Sequence, residues 1–279
     1  MNKENLDKIQ GKLEWLTGRW WFILIFILMG TVLPPYASKG YEYSKIGEVS
    51  GYILGKALID HVDPLLYPIF KVIPILLIVF IILLGNRITR LFSVYAGITY
   101  ILFAILQGVA ITERYGIGIV TGNVIMLLVV AGFWLWEAKM RKNDFTPRKF
   151  SIWNYWVLPL AFLAFWYPTN LETVHPDFNP LYLFTNPVGL AFCMMTPVYL
   201  TMLILYYPKV NIATLRVTSL AGIIIGFWNM VVNFTTPNLW WNGVLHFPLV
   251  IISIYGLILS FKKRPLKEKK AKVEKGASA

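Results

Sequence analysis

Four polar side chains lie inside stretches of sequence that are otherwise strongly apolar. Lys71 is an internal cation, and Asn186, Thr196 and Asn229 are uncharged groups that can form hydrogen bonds. Polar groups at membrane depth cost free energy, so each is a candidate for function. We expect the three uncharged groups to bind a small solute, with Lys71 available to an anion. The other interpretation of Lys71 is that its long side chain extends to the membrane surface.

Prolines accompany these residues. Pro74 lies in the same apolar stretch as Lys71, and Pro197 directly follows Thr196. A proline inside a helix frees the carbonyl four residues earlier, and interrupted helices form solute sites near the membrane midplane in several transporters. The structural alternative stays open, because membrane helices tolerate kinks and join one another by hydrogen bonds worth roughly 0.6 to 2 kcal/mol.

A second group of residues predicts a different chemistry. His61, His175 and Asp177 fall in segments that connect apolar stretches. Imidazole and carboxylate ligands suit zinc, and three protein ligands with one open position suit catalysis. These residues therefore indicate, as an alternative, an enzyme with a metal ion at its outer face. Their spacing matches no compact metal motif, and a competing interpretation is that they form turns.

The amino-acid composition indicates that the chain lies in a membrane, so membrane helices must position these candidate residues. Of the 279 residues, 57% are hydrophobic and only 14% are charged, whereas a soluble chain carries roughly 25% charged residues. This balance excludes a disordered chain and, despite a net charge of +12, a nucleic-acid-binding domain. The single cysteine cannot form an intrachain disulfide.

The apolar stretches predict an all-α polytopic integral membrane protein. A helix needs about 20 apolar residues to cross a hydrocarbon core of ~30 Å. Eight segments meet or approach this length: 19–35, 66–85, 90–111, 117–137, 153–168, 183–206, 213–234 and 242–261. The solute site then lies between the second, sixth and seventh helices.

The distribution of basic residues predicts the orientation. Lys and Arg are retained on the cytoplasmic side of short loops. With the N-terminus inside, 21 of the 26 basic residues fall on the cytoplasmic side. We therefore expect an even number of crossings of the cell membrane, with both termini in the cytoplasm.

Three regions follow from these assignments. Residues 1–18 form a cytoplasmic amphipathic segment at the membrane surface, since Leu6, Ile9 and Leu13 recur at helical spacing. Residues 19–261 form the transmembrane domain. Residues 262–279 form a basic tail that we expect to bind anionic lipid, at about 1 kcal/mol for each lysine, and no nucleic acid. The lipid bilayer is the main partner, and protein partners or a homo-oligomer remain open.

The transmembrane domain shows signs of a duplication. In both 19–137 and 153–261, a stretch with an internal proline is followed by one with an Ala-Gly pair. Each half contains four crossings, so the two repeats would have the same orientation. The sequence thus predicts two parallel four-helix halves.

The segment 166–200 carries a resemblance. It runs from Trp166-Tyr167-Pro168 through Phe178-Asn179-Pro180 to Phe192-Cys193-Met194-Met195-Thr196-Pro197. This segment resembles part of a group of uncharacterised prokaryotic multi-spanning membrane proteins. The resemblance covers about an eighth of the chain and implies no activity.

Three functions remain after these steps. The first is a small-solute transporter, facilitator or binding protein. The second is a membrane-embedded enzyme with the His/Asp site at its outer face. The third is a structural subunit of a larger membrane complex. No acidic residue lies in the middle of any predicted span, which disfavours a proton-coupled pump because pumps relay protons through such groups.

Overall fold

The chain folds almost entirely into helices. A computed structural model describes residues 3–148 and 150–262. The α-helices of these residues are α1 Lys3–Thr17, α2 Trp20–Thr31, α3 Ile46–Leu54, α4 Tyr67–Leu84, α5 Thr89–Gly108, α6 Thr121–Met140, α7 Val157–Trp166, α8 Tyr182–Thr185, α9 Phe192–Leu205, α10 Ile212–Thr235 and α11 Trp240–Phe261. The strands are β1 Tyr36–Ala37, β2 Val109–Thr112 and β3 Gly116–Ile119.

The helices form a bundle with two distinct ends. At one, which we call the terminal end, Arg216 of α10 donates to Thr17 of α1 and to Ser260 near the end of α11. At the other, the hairpin end, β2 and β3 connect α5 to α6. Helix α1 and the end of α11 therefore lie together at one end of the bundle.

Within residues 3–148 and 150–262, five helices are long and apolar enough to cross a membrane: α4 with its flanking turns, α5, α6, α10 and α11. The α1–α2 pair bends by 70°, and the segment from α8 to α9 bends by 96°, so counting each bent pair as one span gives up to seven. The apolar helix Ile152–Trp166 is shorter. All eight predicted segments are therefore largely helical, but the structure supports five to seven spans and does not confirm eight.

Two of the predicted apolar segments extend beyond the ends of their helices at the hairpin end. Segments 90–111 and 117–137 both extend into the β2–β3 hairpin, which pairs antiparallel and takes β1 as a third strand in the order β1–β3–β2. Helix α3 packs on this small sheet through Val49 and Ile53, both fully buried. The hairpin is absent from the sequence prediction because its apolar residues were assigned to the helices on either side.

Helix α1 confirms a helix in the N-terminal segment, and polar side chains attach it to the bundle. Gln10 is 1% exposed. Its Nε2 donates to Asn211 Oδ1 at 2.9 Å, and its Oε1 accepts from Trp136 Nε1 at 2.8 Å. Ile9 is exposed. The contact of α1 with the bundle thus includes polar side chains, and the surface position of the segment in a membrane stays a prediction.

The buried carboxylate of Glu137 is central to the terminal end. It accepts from Asn143 N at 2.6 Å and from Asn211 Nδ2 at 2.7 Å. Asn211 N in turn donates to Asn143 Oδ1 at 2.7 Å. These bonds fasten the end of α6, the loop after it and the start of α10 to one another.

Asp144 also fixes the loop that connects α6 to α7. Its carboxylate accepts from Thr146 Oγ1 at 2.5 Å, Lys209 Nζ at 2.9 Å and Asn86 Nδ2 at 2.7 Å. The Thr146 bond, followed by those from Lys209 and Asn86, holds the pKa of Asp144 well below its usual range. The α4–α5, α6–α7 and α9–α10 connections therefore meet at this carboxylate.

Close packing of α2 against α6 depends on Gly122. A Cβ at this position would lie 2.3 Å from the Met29 carbonyl oxygen, a backbone atom that cannot move aside. We expect Gly122→Ala to lower the free energy of unfolding by about 1 to 3 kcal/mol through overpacking. Gly132→Ala is the matched control, since a Cβ there meets nothing within 4 Å in the same helix. Thermal unfolding in detergent measures both, and equal stability of the two variants would contradict the α2–α6 packing.

The predicted duplication is not confirmed. The pairs α5–α6 and α10–α11 do pack in a similar way, with Gly97 against Leu135 in one and Gly222 against Ser253 in the other. The β2–β3 hairpin and α3 belong only to the first half within the described residues. Two parallel halves therefore remain a prediction.

Candidate functional site: a polar cavity at the hairpin end

Two adjoining pockets lie among the ends of α5, α6, α9, α10 and α11 that face the hairpin, and we call them together the polar cavity. Its two lobes, of about 230 and 260 Å³, share Gln107, Cys193 and Asn229 in their walls, which also contain apolar side chains such as Leu127 and Met194. The smaller, which we call the α6 lobe, also contacts Asn123 in the first turn of α6. The larger, the α11 lobe, contacts His246 near the start of α11. Five helices thus each contribute polar groups or backbone to one space.

A chain of hydrogen bonds orders the α11 lobe. Tyr167 Oη donates to Asn242 Oδ1 at 2.7 Å, Asn242 Nδ2 donates to Asn233 Oδ1 at 2.8 Å, and Asn233 Nδ2 donates to the Asn229 carbonyl at 2.7 Å. His246 Nδ1 lies 2.7 Å from the Asn242 carbonyl. The chain joins the end of α7 to α11 and α10, so the cavity wall is fixed by bonds between helices.

Gln107 fixes the side of the cavity formed by α5 and α9. Its Nε2 donates to the Leu190 carbonyl at 2.9 Å, and its Oε1 accepts from Phe192 N at 3.2 Å. The second bond satisfies a backbone N–H at the start of α9, where no helical carbonyl is available. Gln107 therefore positions the beginning of α9 against α5.

Aromatic rings form the floor of the cavity. Phe192 lines the α6 lobe and packs edge-on against Tyr100 and Phe103, at centroid distances of 6.0 and 6.4 Å. Tyr100 packs in turn on Tyr199, which contacts Trp134. These rings are at most 1% exposed. We call them the aromatic cluster, and it separates the cavity from the terminal end.

The aromatic cluster contains polar contacts that satisfy its hydroxyl groups. Tyr100 Oη lies 3.0 Å from Thr196 Oγ1, and Tyr199 Oη lies 2.8 Å from Thr99 Oγ1. Since a buried hydroxyl without a partner costs free energy, these pairs favour one arrangement of the rings. Thr196 is thereby occupied within the core and does not line either lobe.

Of the four predicted solute-binding residues, the structure places Asn229 in the cavity wall. Lys71 is fully buried elsewhere, where its Nζ donates to the Phe165 carbonyl and lies 4.2 Å from the centroid of the Phe165 ring. It therefore does not extend to the surface. Asn186 donates to the Trp166 carbonyl at 3.0 Å and accepts from Val188 N at 3.3 Å. These bonds give Asn186 a capping role beside α7.

The structure does not bring the predicted metal ligands together. His61 and His175 are exposed in separate loops. The carboxylate of Asp177 accepts from Asn179 N at 3.2 Å and from Tyr182 Oη at 2.5 Å, so it stabilises its own turn. Among residues 3–148 and 150–262, no group of three His, Cys, Asp or Glu side chains is placed to hold a metal ion.

Sequence reasoning missed several residues of the cavity. The sequence analysis did not select Asn123, Tyr167, Cys193, Asn242 or His246 as site residues. One signal was present: Asn229 and Asn233 lie four residues apart, as do Asn242 and His246, so each pair shares a helix face. Two neighbouring helices with facing polar pairs indicate a polar contact between them.

The chain matches no known protein family, and no curated protein or solved structure is similar to it. The chemistry of the site therefore has to be argued from its geometry. The described residues that line the two lobes include amides, a phenol, an imidazole and a thiol, and none of them is Asp, Glu, Lys or Arg. This wall can exchange hydrogen bonds with a ligand but offers no fixed charge.

Proposed function

We propose that this protein binds a small uncharged polar solute in the polar cavity and passes it across the membrane. The observation that carries the proposal is the polar wall without an acidic or basic side chain. An ion that left water for this cavity would lose its hydration without gaining an opposite charge, which costs much more than moving a neutral solute. The cavity therefore favours neutral molecules.

The size of the cavity limits the solute. Each lobe, at about 230 and 260 Å³, is smaller than the ~300 Å³ at which pockets for drug-sized ligands begin. One water molecule takes ~30 Å³ of the liquid. A solute of a few non-hydrogen atoms, together with some water, fits these dimensions.

The aromatic cluster favours a gated route for the solute rather than an open pore. Phe192 forms the floor of the α6 lobe, and Tyr100 lies against it. A solute that enters at the hairpin end can continue only when these rings move. Movements of this kind expose a site to the two sides of the membrane in turn, as in transporters built from interrupted helices.

The proposed arrangement in the membrane has eight crossings. The three shorter helical segments, α2, α7 and the bent segment from α8 to α9, traverse the bundle alongside the five long helices. The positive-inside bias places both termini in the cytoplasm and the hairpin end outside the cell. The basic tail 262–279 is proposed to bind anionic lipid, and its residues 263–279 lie outside the described residues.

A flux assay in proteoliposomes tests the proposal. We expect the wild-type protein to accelerate the entry of urea or glycerol over protein-free vesicles. Asn229→Ala should slow this entry about fivefold, which corresponds to the loss of one hydrogen bond of about 1 kcal/mol. Stopped-flow light scattering measures the rates.

The control for this variant lies on the same helix. Thr235 is exposed and its hydroxyl donates to carbonyls of its own helix, at Val231 and Val232. Thr235→Ala should therefore retain the wild-type rate. If wild-type vesicles admit neither solute faster than empty vesicles, the proposed function is wrong.

A further inference from the structure

The hydrogen bonds of the cavity wall determine which groups remain for a ligand. His246 Nδ1 lies 2.7 Å from the Asn242 carbonyl. A carbonyl oxygen can only accept, so Nδ1 must carry the proton. In the neutral imidazole, Nε2 is then an acceptor. No protein group bonds to Nε2 in the described residues, and it is not enclosed. His246 is 4% exposed and lines the α11 lobe, so Nε2 is the acceptor that this residue has left for a ligand there.

The same reasoning assigns the nitrogen and oxygen atoms of the Asn229 amide. Its nitrogen donates to the Ile225 carbonyl at 2.8 Å, so the assignment of nitrogen and oxygen follows from the partner. Asn229 Oδ1 is left without a protein partner in the described part of the chain and is not enclosed. Asn229 belongs to the walls of both lobes. A second accessible acceptor therefore lies where the lobes meet.

The other amides of the wall keep donors as well as acceptors. Gln107 Nε2 and Asn242 Nδ2 each donate one of their two N–H groups to a protein oxygen, at 2.9 and 2.8 Å, and keep the second. Asn123 has an amide with no partner among the described residues, and it supplies donors and acceptors in equal measure. Apart from this amide, the side-chain nitrogen and oxygen atoms of the wall that have no protein partner in the described part of the chain are His246 Nε2 and Asn229 Oδ1, and both are acceptors.

We infer that the solute is a molecule rich in hydrogen-bond donors, of the urea and small-amide class. This inference rests on the proposed function and specifies its substrate. A solute with two N–H groups on one carbonyl can donate to His246 Nε2 and Asn229 Oδ1. A solute that only accepts would leave both acceptors unpaired, and a site built to bond donors rejects such analogues strongly.

Urea and dimethyl sulfoxide provide the test, because they have the same number of non-hydrogen atoms but only urea donates hydrogen bonds. Entry of each solute is measured in proteoliposomes of the full chain, after subtraction of the rate in protein-free vesicles. We expect the protein-dependent rate for urea to exceed that for dimethyl sulfoxide by about tenfold or more.

The outcomes separate this inference from the proposed function. Equal protein-dependent rates for the two solutes would overturn the preference for donors and leave solute passage intact. If neither rate exceeds that of empty vesicles, the proposed function fails and this inference fails with it. A preference for dimethyl sulfoxide would also overturn the inference.

Two variants test whether acceptors in the cavity wall cause the preference for urea over dimethyl sulfoxide. His246→Phe and Asn229→Ala each remove one acceptor and should lower the ratio of urea to dimethyl sulfoxide rates severalfold. Thr235→Ala should leave the ratio unchanged. Using two independent acceptors keeps the test decisive if one variant does not fold. A ratio that stays at the wild-type value in a folded variant of either acceptor would contradict the assignment.

Discussion

Attachment of a small, neutral thiol reagent to Cys193 is expected to slow protein-dependent solute entry strongly. Cys193 is the single cysteine of the chain and belongs to the walls of both lobes. Methyl methanethiosulfonate carries no charge and has only a few non-hydrogen atoms, so it can enter lobes of about 230 and 260 Å³, and it leaves a methylthio group on the sulfur while methanesulfinate departs. The added group narrows both lobes and covers part of their polar wall. We expect more than about a tenfold loss of the protein-dependent rate for urea.

The measurement combines mass spectrometry with flux. Mass spectrometry establishes the fraction of chains modified, and stopped-flow light scattering gives the entry rate before and after treatment. Urea present during the reaction should slow modification, since it competes for the same space. A fully modified protein with an unchanged rate would show that solute does not pass through this cavity.

A variant without the thiol controls for effects on the vesicles. Cys193→Ala should give the same entry rate before and after exposure to the reagent, whatever that rate is. A loss of rate in this variant would reveal an effect on the lipid. Since the chain has no other cysteine, the experiment requires no prior removal of competing thiols.

The positions of the helices were predictable because membrane insertion acts on each segment separately. A stretch such as 213–234 is apolar over the required length whatever its neighbours are, and α10 confirms it. Prediction from the length of an apolar stretch fails where the chain turns within that stretch. Segment 183–206 was predicted as one interrupted span, and the chain instead forms a turn over Pro187–Leu190, capped by Asn186, before α9 begins. The break lies at Pro187, whereas Pro197 lies inside α9, and the sequence did not predict the 96° bend.

The candidate site was only partly predictable because it is a property of several helices. Asn229 was identified from its depth in one apolar stretch. His246 and Asn123 lie near helix ends, where a polar residue costs little and is a weak signal. Only the packing of α6 and α11 against α10 brings them to the same cavity. Lys71 shows the opposite error: its type and depth indicated function, but the Phe165 carbonyl that binds it lies 94 residues away.

Replacing Glu137 by leucine is expected to have the largest effect on stability. The carboxylate is fully buried and accepts from Asn143 N and Asn211 Nδ2. Leucine removes both acceptors. Asn143 N is then enclosed without a partner, at a cost of about 1 to 3 kcal/mol, and Asn211 Nδ2 keeps only its longer bond to Gln10 Oε1 at 3.3 Å. We therefore expect Glu137→Leu to lower the free energy of unfolding by about 2 to 4 kcal/mol. Thermal unfolding in detergent measures the change.

The effect should extend to α1. Asn211 donates to Glu137 and accepts from Gln10, so its orientation depends on the carboxylate. When that orientation is lost, the bond to Gln10 weakens, and α1 should become more accessible to limited proteolysis than in the wild type. Glu137→Gln keeps one acceptor oxygen, and we expect it to fall between wild type and Glu137→Leu in both measurements.

An exposed glutamate at the same end gives the matched control. Glu4 forms an ion pair with Lys8 on the surface of α1, at 2.8 Å, with both side chains at least two-thirds exposed. Glu4→Leu should change the free energy of unfolding by less than about 1 kcal/mol, because exposed pairs contribute little. If Glu137→Leu were no more destabilising than Glu4→Leu, Glu137 would not be the group that joins α6, α10 and the loop at the terminal end. The polar face of α1 would then have to be held by its remaining contacts, among them the bonds from Arg216 to Thr17 and from Lys142 to Glu14.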